Sequence, residues 1–202
     1  NTQVSEFYNT ALIAFSDMGC TDTAYQQIQV YPKVVADYSP VPDGCSPLNG
    51  VFINQSVGAN QFEWDFGDGS NTQTTINAQH TFNNLSYLND TTFTVTLFAI
   101  STFNCRDTVQ NNLIIHPKPL SQFALNDSAG CSPLSVNLEN QSIGGVFFNW
   151  VYGDLTPNSN TGDSIHNHLY FNNGGVNIVY QTSLETETNF GCTDTSYHNI
   201  FV

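Results

Sequence analysis

Trp64-Asp65-Phe66-Gly67-Asp68-Gly69 returns, altered, as Trp150-Val151-Tyr152-Gly153-Asp154-Leu155. The chain has only two tryptophans, and they lie 86 residues apart. A period of that size marks one structural unit used more than once. The cysteines keep the same beat. Gly19-Cys20-Thr21-Asp22-Thr23, Asn104-Cys105-Arg106-Asp107-Thr108 and Gly191-Cys192-Thr193-Asp194-Thr195 form one series. Gly44-Cys45-Ser46-Pro47-Leu48 and Gly130-Cys131-Ser132-Pro133-Leu134 form a second. Tyr31-Pro32-Lys33 and His116-Pro117-Lys118 read as short, stiff linkers. These marks divide the chain into a partial unit at 1–33 and two whole units at 34–117 and 118–202.

The local pattern is β. Thr, Asn, Val, Ile, Phe and Tyr are frequent, Gly and Asn punctuate the runs, and no long stretch shows a 3.6 period. Thr92 to Ile100 alternates early and turns apolar later, as a sandwich strand with one core face does. A whole unit of about 85 residues suits a seven-stranded sandwich.

Composition narrows the function. Three Lys and Arg stand against 17 acids, for a net charge of −14. Nucleic-acid binding needs basic groups to neutralise phosphate, so that class is excluded, and anionic membrane surfaces are disfavoured. No run of about 18 apolar residues is present, so no membrane insertion is expected. The polar start at Asn1, without Met, reads as a processed chain or a fragment.

Within a whole unit the spacing suggests the pairs Cys45–Cys105 and Cys131–Cys192, separated by 60 and 61 residues. A loop of that length would stabilise by roughly 4 kcal/mol when closed. Such bonds imply an oxidising, extracellular compartment. Cys20 is left over. Its partner is expected before residue 1, in a longer array or in a neighbouring subunit that completes the half-unit.

The motif Trp64 to Gly69, followed by His80-Thr81-Phe82, Phe93-Thr94-Val95-Thr96-Leu97 and Cys105, resembles the polycystic-kidney-disease (PKD) type domain. The second whole unit is a divergent copy that keeps Trp150, Gly153, Asp154 and His168-Leu169-Tyr170. In the partial unit only the last strands are recognisable, through Tyr8, Thr10, Leu12, Ala14 and Cys20. The resemblance implies an all-β fold of tandem immunoglobulin-like β-sandwiches. The cysteine-bearing tandem form is similar to arrays in giant surface adhesins of gliding bacteria exported by the type 9 secretion system. It implies cell adhesion or an extracellular filament at the bacterial cell surface, with neighbouring repeats or other copies of the chain as partners. It gives no reason to expect an enzyme. The alternative is a polysaccharide- or protein-binding accessory module of a secreted hydrolase.

Each candidate site has a structural reading beside the functional one. Trp64 and Trp150 could stack on sugars, but one Trp at a fixed repeat position suits a sheet-packing core residue. No cofactor is expected apart from calcium, for which Asp65 and Asp68 are the candidate ligands; both also suit turn positions. His80 and His168 recur in a structural motif with no nucleophile beside them. Glu185 and Glu187 share one face of a strand, a spacing seen in carboxylate pairs but equally on a solvated face. Thr23, Thr108, Ser128 and Ser164 fit the short Asp-Ser/Thr-apolar O-glycosylation pattern of that bacterial group.

Overall fold

The computed structural model describes residues 4–160 and 164–202. It is all-β, with fourteen strands and no helix among the described residues. Contacts divide the chain into two compact units. The first comprises residues 1–41, 51–80 and 94–112, and the second 42–50, 81–93 and 113–202.

The first unit opens with a long hairpin, β1 (Glu6–Phe15) with β2 (Thr21–Val30), paired antiparallel from Glu6↔Val30 to Phe15↔Thr21. The turn is closed by the Gly19 N–H on the Ser16 carbonyl, and Gly19 sits at φ +79°. Strand β5 (Gln61–Asp65) pairs with the latter half of β7 (Thr91–Ile100). Trp64 is fully buried there, edge-on to Tyr38 at 5.2 Å and tilted against Phe52 at 5.8 Å. The Tyr38 hydroxyl donates to the Val95 carbonyl at 2.8 Å, so a buried polar group finds a partner, as it must.

The second unit holds β3 (Gly44–Cys45), which pairs parallel with the end of β8 (Arg106–His116). It also holds the sandwich of the last repeat. One sheet has the order β12 (Ile165–Tyr170), β10 (Leu134–Asn140), β9 (Phe123–Leu125). The other has the order β11 (Phe147–Val151), β13 (Val179–Glu187), β14 (Thr193–Phe201). Between them lies a core of Phe123, Val136, Leu138, Trp150, Tyr152, Tyr170, Leu184 and Ile200. A separate two-stranded sheet pairs β4 (Leu48–Phe52) with β6 (Ala78–Phe82). Alternating burial along β10 and β13 follows the period of two that a one-sided strand requires.

The cysteines correct the spacing-based pairing. The bond is Cys45–Cys192, with Cα atoms 5.5 Å apart and a sequence separation of 147. Cys105 and Cys131 are free thiols, as is Cys20. The reason is strand length. Cys192 immediately precedes β14, whereas Cys131 lies at its far end, where the Gly130 N–H donates to the Phe201 carbonyl. A nine-residue strand spans about 30 Å, far beyond a disulfide's reach. The same holds for Cys105, which precedes β8, and Cys45, which pairs with His116 at the other end of that strand.

Candidate functional site: the motif turn and the stapled junction

The repeated motif forms a turn latched by an aspartate–histidine pair. In the first copy Asp65 Oδ1 accepts from the Gly67 N–H at 2.9 Å. Asp68 Oδ1 accepts from the Ser70 N–H at 3.0 Å and from its hydroxyl at 2.6 Å. Asp68 Oδ2 lies 2.7 Å from His80 Nε2, and the His80 ring stacks on Phe66 at 4.0 Å. The second copy repeats the part played by Asp68 and His80. Asp154 accepts from the Thr156 N–H and hydroxyl, lies 2.7 Å from His168 Nε2, and His168 stacks on Tyr152 at 3.8 Å. Because β11 and β12 belong to opposite sheets, the Asp154–His168 pair ties the turn after one to a strand of the other.

The electrostatics agree. Burial works against ionising Asp68, but hydrogen bonds from Ser70 and His80 outweigh it and hold the carboxyl at about 2. Asp154 is lowered in the same way, by Thr156 and His168 against burial. Both aspartates of the first copy are thus engaged by their own turn. Among the described residues no group of three or more His, Cys, Asp or Glu is placed to hold a metal ion. Asp65 and Asp68 therefore belong to no larger ligand set among those residues.

Both tryptophans are fully buried, so neither can stack on a sugar. Trp64 Nε1 donates to the Thr75 carbonyl at 3.0 Å. Trp150 Nε1 has no partner among the described residues, and the residue matching Thr75, Thr161, lies outside them. Glu185 and Glu187 do share a face. With Phe147, Asn149, Asn158 and Asn160 they line an open groove of about 540 Å³. Of the glycosylation candidates, Thr108, Ser128 and Ser164 are exposed and Thr23 is half-buried. Asp163, beside Ser164, lies outside the described residues.

The best-built assembly is one the sequence quotes piecemeal without joining. Around Cys45–Cys192, His116 stacks on Phe190 at 3.8 Å with rings 6° apart. Lys118 Nζ lies 2.7 Å from Asp194 Oδ1, and the Ser121 N–H donates to Asp194 Oδ2 at 2.9 Å. Burial opposes ionisation of Asp194, and hydrogen bonds from Lys118 and Ser121 overcome it, so its pKa falls. The signal was available: the Asp of Cys-x-Asp-Thr and the Lys of the Pro-Lys linker recur with the same period. The arrangement joins the Cys-Ser-Pro-Leu loop of one sequence repeat, the linker, and the Cys-Thr-Asp-Thr turn of the next.

No helix among the described residues is long and apolar enough to cross a membrane. No family model and no curated protein matches the sequence. Among solved structures, cadherin domains 1–4 of protocadherin gamma B7 are similar at 8% identity and a TM-score of 0.34, over 98% of this chain and 66% of that one. The N-terminal four immunoglobulin domains of Dscam1 isoform 4.44 are similar at 8% identity and a TM-score of 0.30, over 91% of this chain and 50% of that one. The chain thus spans less than two thirds of the length of either, and what stands on its own sheets is an all-β, tandem immunoglobulin-like fold.

Proposed function

We propose that the chain is a non-enzymatic, load-bearing segment of an extracellular surface protein or filament, built of PKD-type repeats at 34–117 and 118–202 with a partial repeat at 1–33. The observation that carries this reading is the Cys45–Cys192 bond between two sequence repeats. A bond within each repeat would steady that repeat alone. One that spans 147 residues holds the pair together under tension. Surface arrays of gliding bacteria, exported by the type 9 system, are the setting this reading favours. The partners are then neighbouring repeats or further copies of the chain.

Single-molecule pulling from the two ends tests it. With the bond intact, the 147-residue stretch is withheld, and reduction should add about 500 Å of contour length. Equal extension before and after reduction would sink the load-bearing role.

A second reading has one observation of its own. The groove at Phe147 offers an exposed aromatic ring beside amides and carboxylates, a set suited to sugar hydroxyls. Calorimetric titration with neutral polysaccharides, repeated on Phe147→Ala, checks it. Binding that survives the substitution would place the ligand elsewhere.

A further inference from the structure

The turn that presents Cys192 occurs three times. The Cys192 N–H donates to the Thr188 hydroxyl at 3.1 Å, the Thr188 N–H to the Cys192 carbonyl at 2.9 Å, and Gly191 sits at φ +77°. At Cys105 the Ser101 hydroxyl and N–H make the same two bonds, at 3.2 and 2.9 Å, and Asn104 sits at φ 66°. At Cys20 the partner is Ser16, at 3.1 and 2.9 Å, and Gly19 sits at φ +79°.

The surroundings of Cys105 go further. Tyr31 stacks on Phe103 at 4.2 Å, where His116 stacks on Phe190. The Ala36 N–H donates to Asp107 Oδ2 at 2.8 Å, where Ser121 donates to Asp194. Hydrogen bonds from the Ala36 and Thr108 N–H groups lower the pKa of Asp107, aided by the charge of Lys33, the counterpart of Lys118. The stacked rings, the backbone N–H on the aspartate and the nearby lysine charge of the stapled junction are therefore present a second time, without the Cys-Ser-Pro-Leu loop whose cysteine would bond Cys105.

Cys131 is the other half. The Asn172 N–H donates to the Ser132 hydroxyl at 2.8 Å, as the Asn84 N–H donates to that of Ser46 at 2.9 Å. So the Cys131 loop is anchored like the bonded Cys45 loop, with its thiol exposed.

We propose that Cys105 and Cys131 are complementary half-staples. Each repeat's Gly-Cys-Ser-Pro-Leu cysteine bonds the Cys-x-Asp-Thr cysteine of the repeat that follows, and the ligand of each free thiol is another repeat of this kind. Cys45–Cys192 is the one staple with both halves in this chain. Closing a further one joins two thiols, releasing two protons and two electrons to a disulfide oxidant such as oxidised glutathione, which leaves as two thiols. The proposal concerns connectivity and stands whether or not the chain bears load.

The test extends the full chain at its C-terminus by a second copy of residues 116–202, oxidised in a glutathione buffer. Non-reducing digestion and mass spectrometry should find Cys131 bonded to the added copy's Cys192 beside an unchanged Cys45–Cys192. Cys131 bonded to its own Cys192, or still open to alkylation, overturns the register. A second measurement needs no added repeat. In the unextended chain, alkylation should mark Cys20, Cys105 and Cys131 alone. Cys45–Cys105 or Cys131–Cys192 bonds there overturn the proposal as well.

Discussion

The two copies of the motif differ at three of six positions; Tyr152 for Phe66 keeps the stacked ring, and the turn survives the other two changes. Val151 stands where Asp65 caps Gly67, and Leu155 stands where Gly69 takes φ +81°. Trp, the middle Gly, the second Asp and its His keep their places in both. What persists is what packs, bends or latches. The difference teaches that the motif is a piece of architecture, because a carboxylate that served as a metal ligand would be lost with Val151.

The largest effect should come from the anchor. Replacing Trp64 or Trp150 by Ala should each lower stability by about 4 kcal/mol in urea unfolding. A loss below about 1 kcal/mol for Trp150→Ala would break the equivalence of the copies. Next comes the middle glycine. A Cβ on Gly67 would meet the Thr94 carbonyl at 2.6 Å, and one on Gly153 the Gln181 carbonyl at 2.4 Å, both at positive φ. Gly67→Ala and Gly153→Ala should cost about 3 kcal/mol each, combining overpacking with the left-handed backbone.

The latch should show in pH. The Asp68 carboxyl is held at about 2, below its ordinary 3.8, so folding favours its charged form. Its contribution is complete above about pH 4 and is lost as pH falls toward 2. After allowance for solvent screening this amounts to about 1–2 kcal/mol. Thermal melts of the parent should therefore fall over that window more steeply than those of Asp68→Asn. Parallel melting curves would remove the latch. Smallest is the last position. Leu155 is fully exposed at φ 68°, and a Cβ on Gly69 meets nothing within 4 Å. Leu155→Gly should then gain about 1 kcal/mol and Gly69→Leu lose about as much, both from backbone conformation alone.

Much of this was legible in the sequence. The strands, the turns at Gly67 and Gly153 and the buried tryptophans follow from local pattern and period. The disulfide partner did not, for a reason built into repetition. Pairing Cys45 with Cys105 and pairing it with Cys192 both respect the period, and spacing cannot separate a bond within a repeat from one shifted by a repeat. Only the length of β8 and β14 decides. Covering is also silent. Leu12 and Leu97 occupy matching places in matching hairpins, yet Leu12 is 72% exposed and Leu97 is not exposed at all. Alternation along a strand says which face wants company, and nothing of whether another sheet arrives.

The long disulfide loop has a consequence for wear. Between Cys45 and Cys192 lie exposed turns such as that at Leu85 and Leu88. A protease that cuts one of them severs the backbone but not the molecule, since both fragments stay tied through the two sulfurs. Only a cut before Cys45, or after Cys192, parts the chain into pieces that this bond does not hold together. Broken in its middle and kept oxidised, this chain would still be one object.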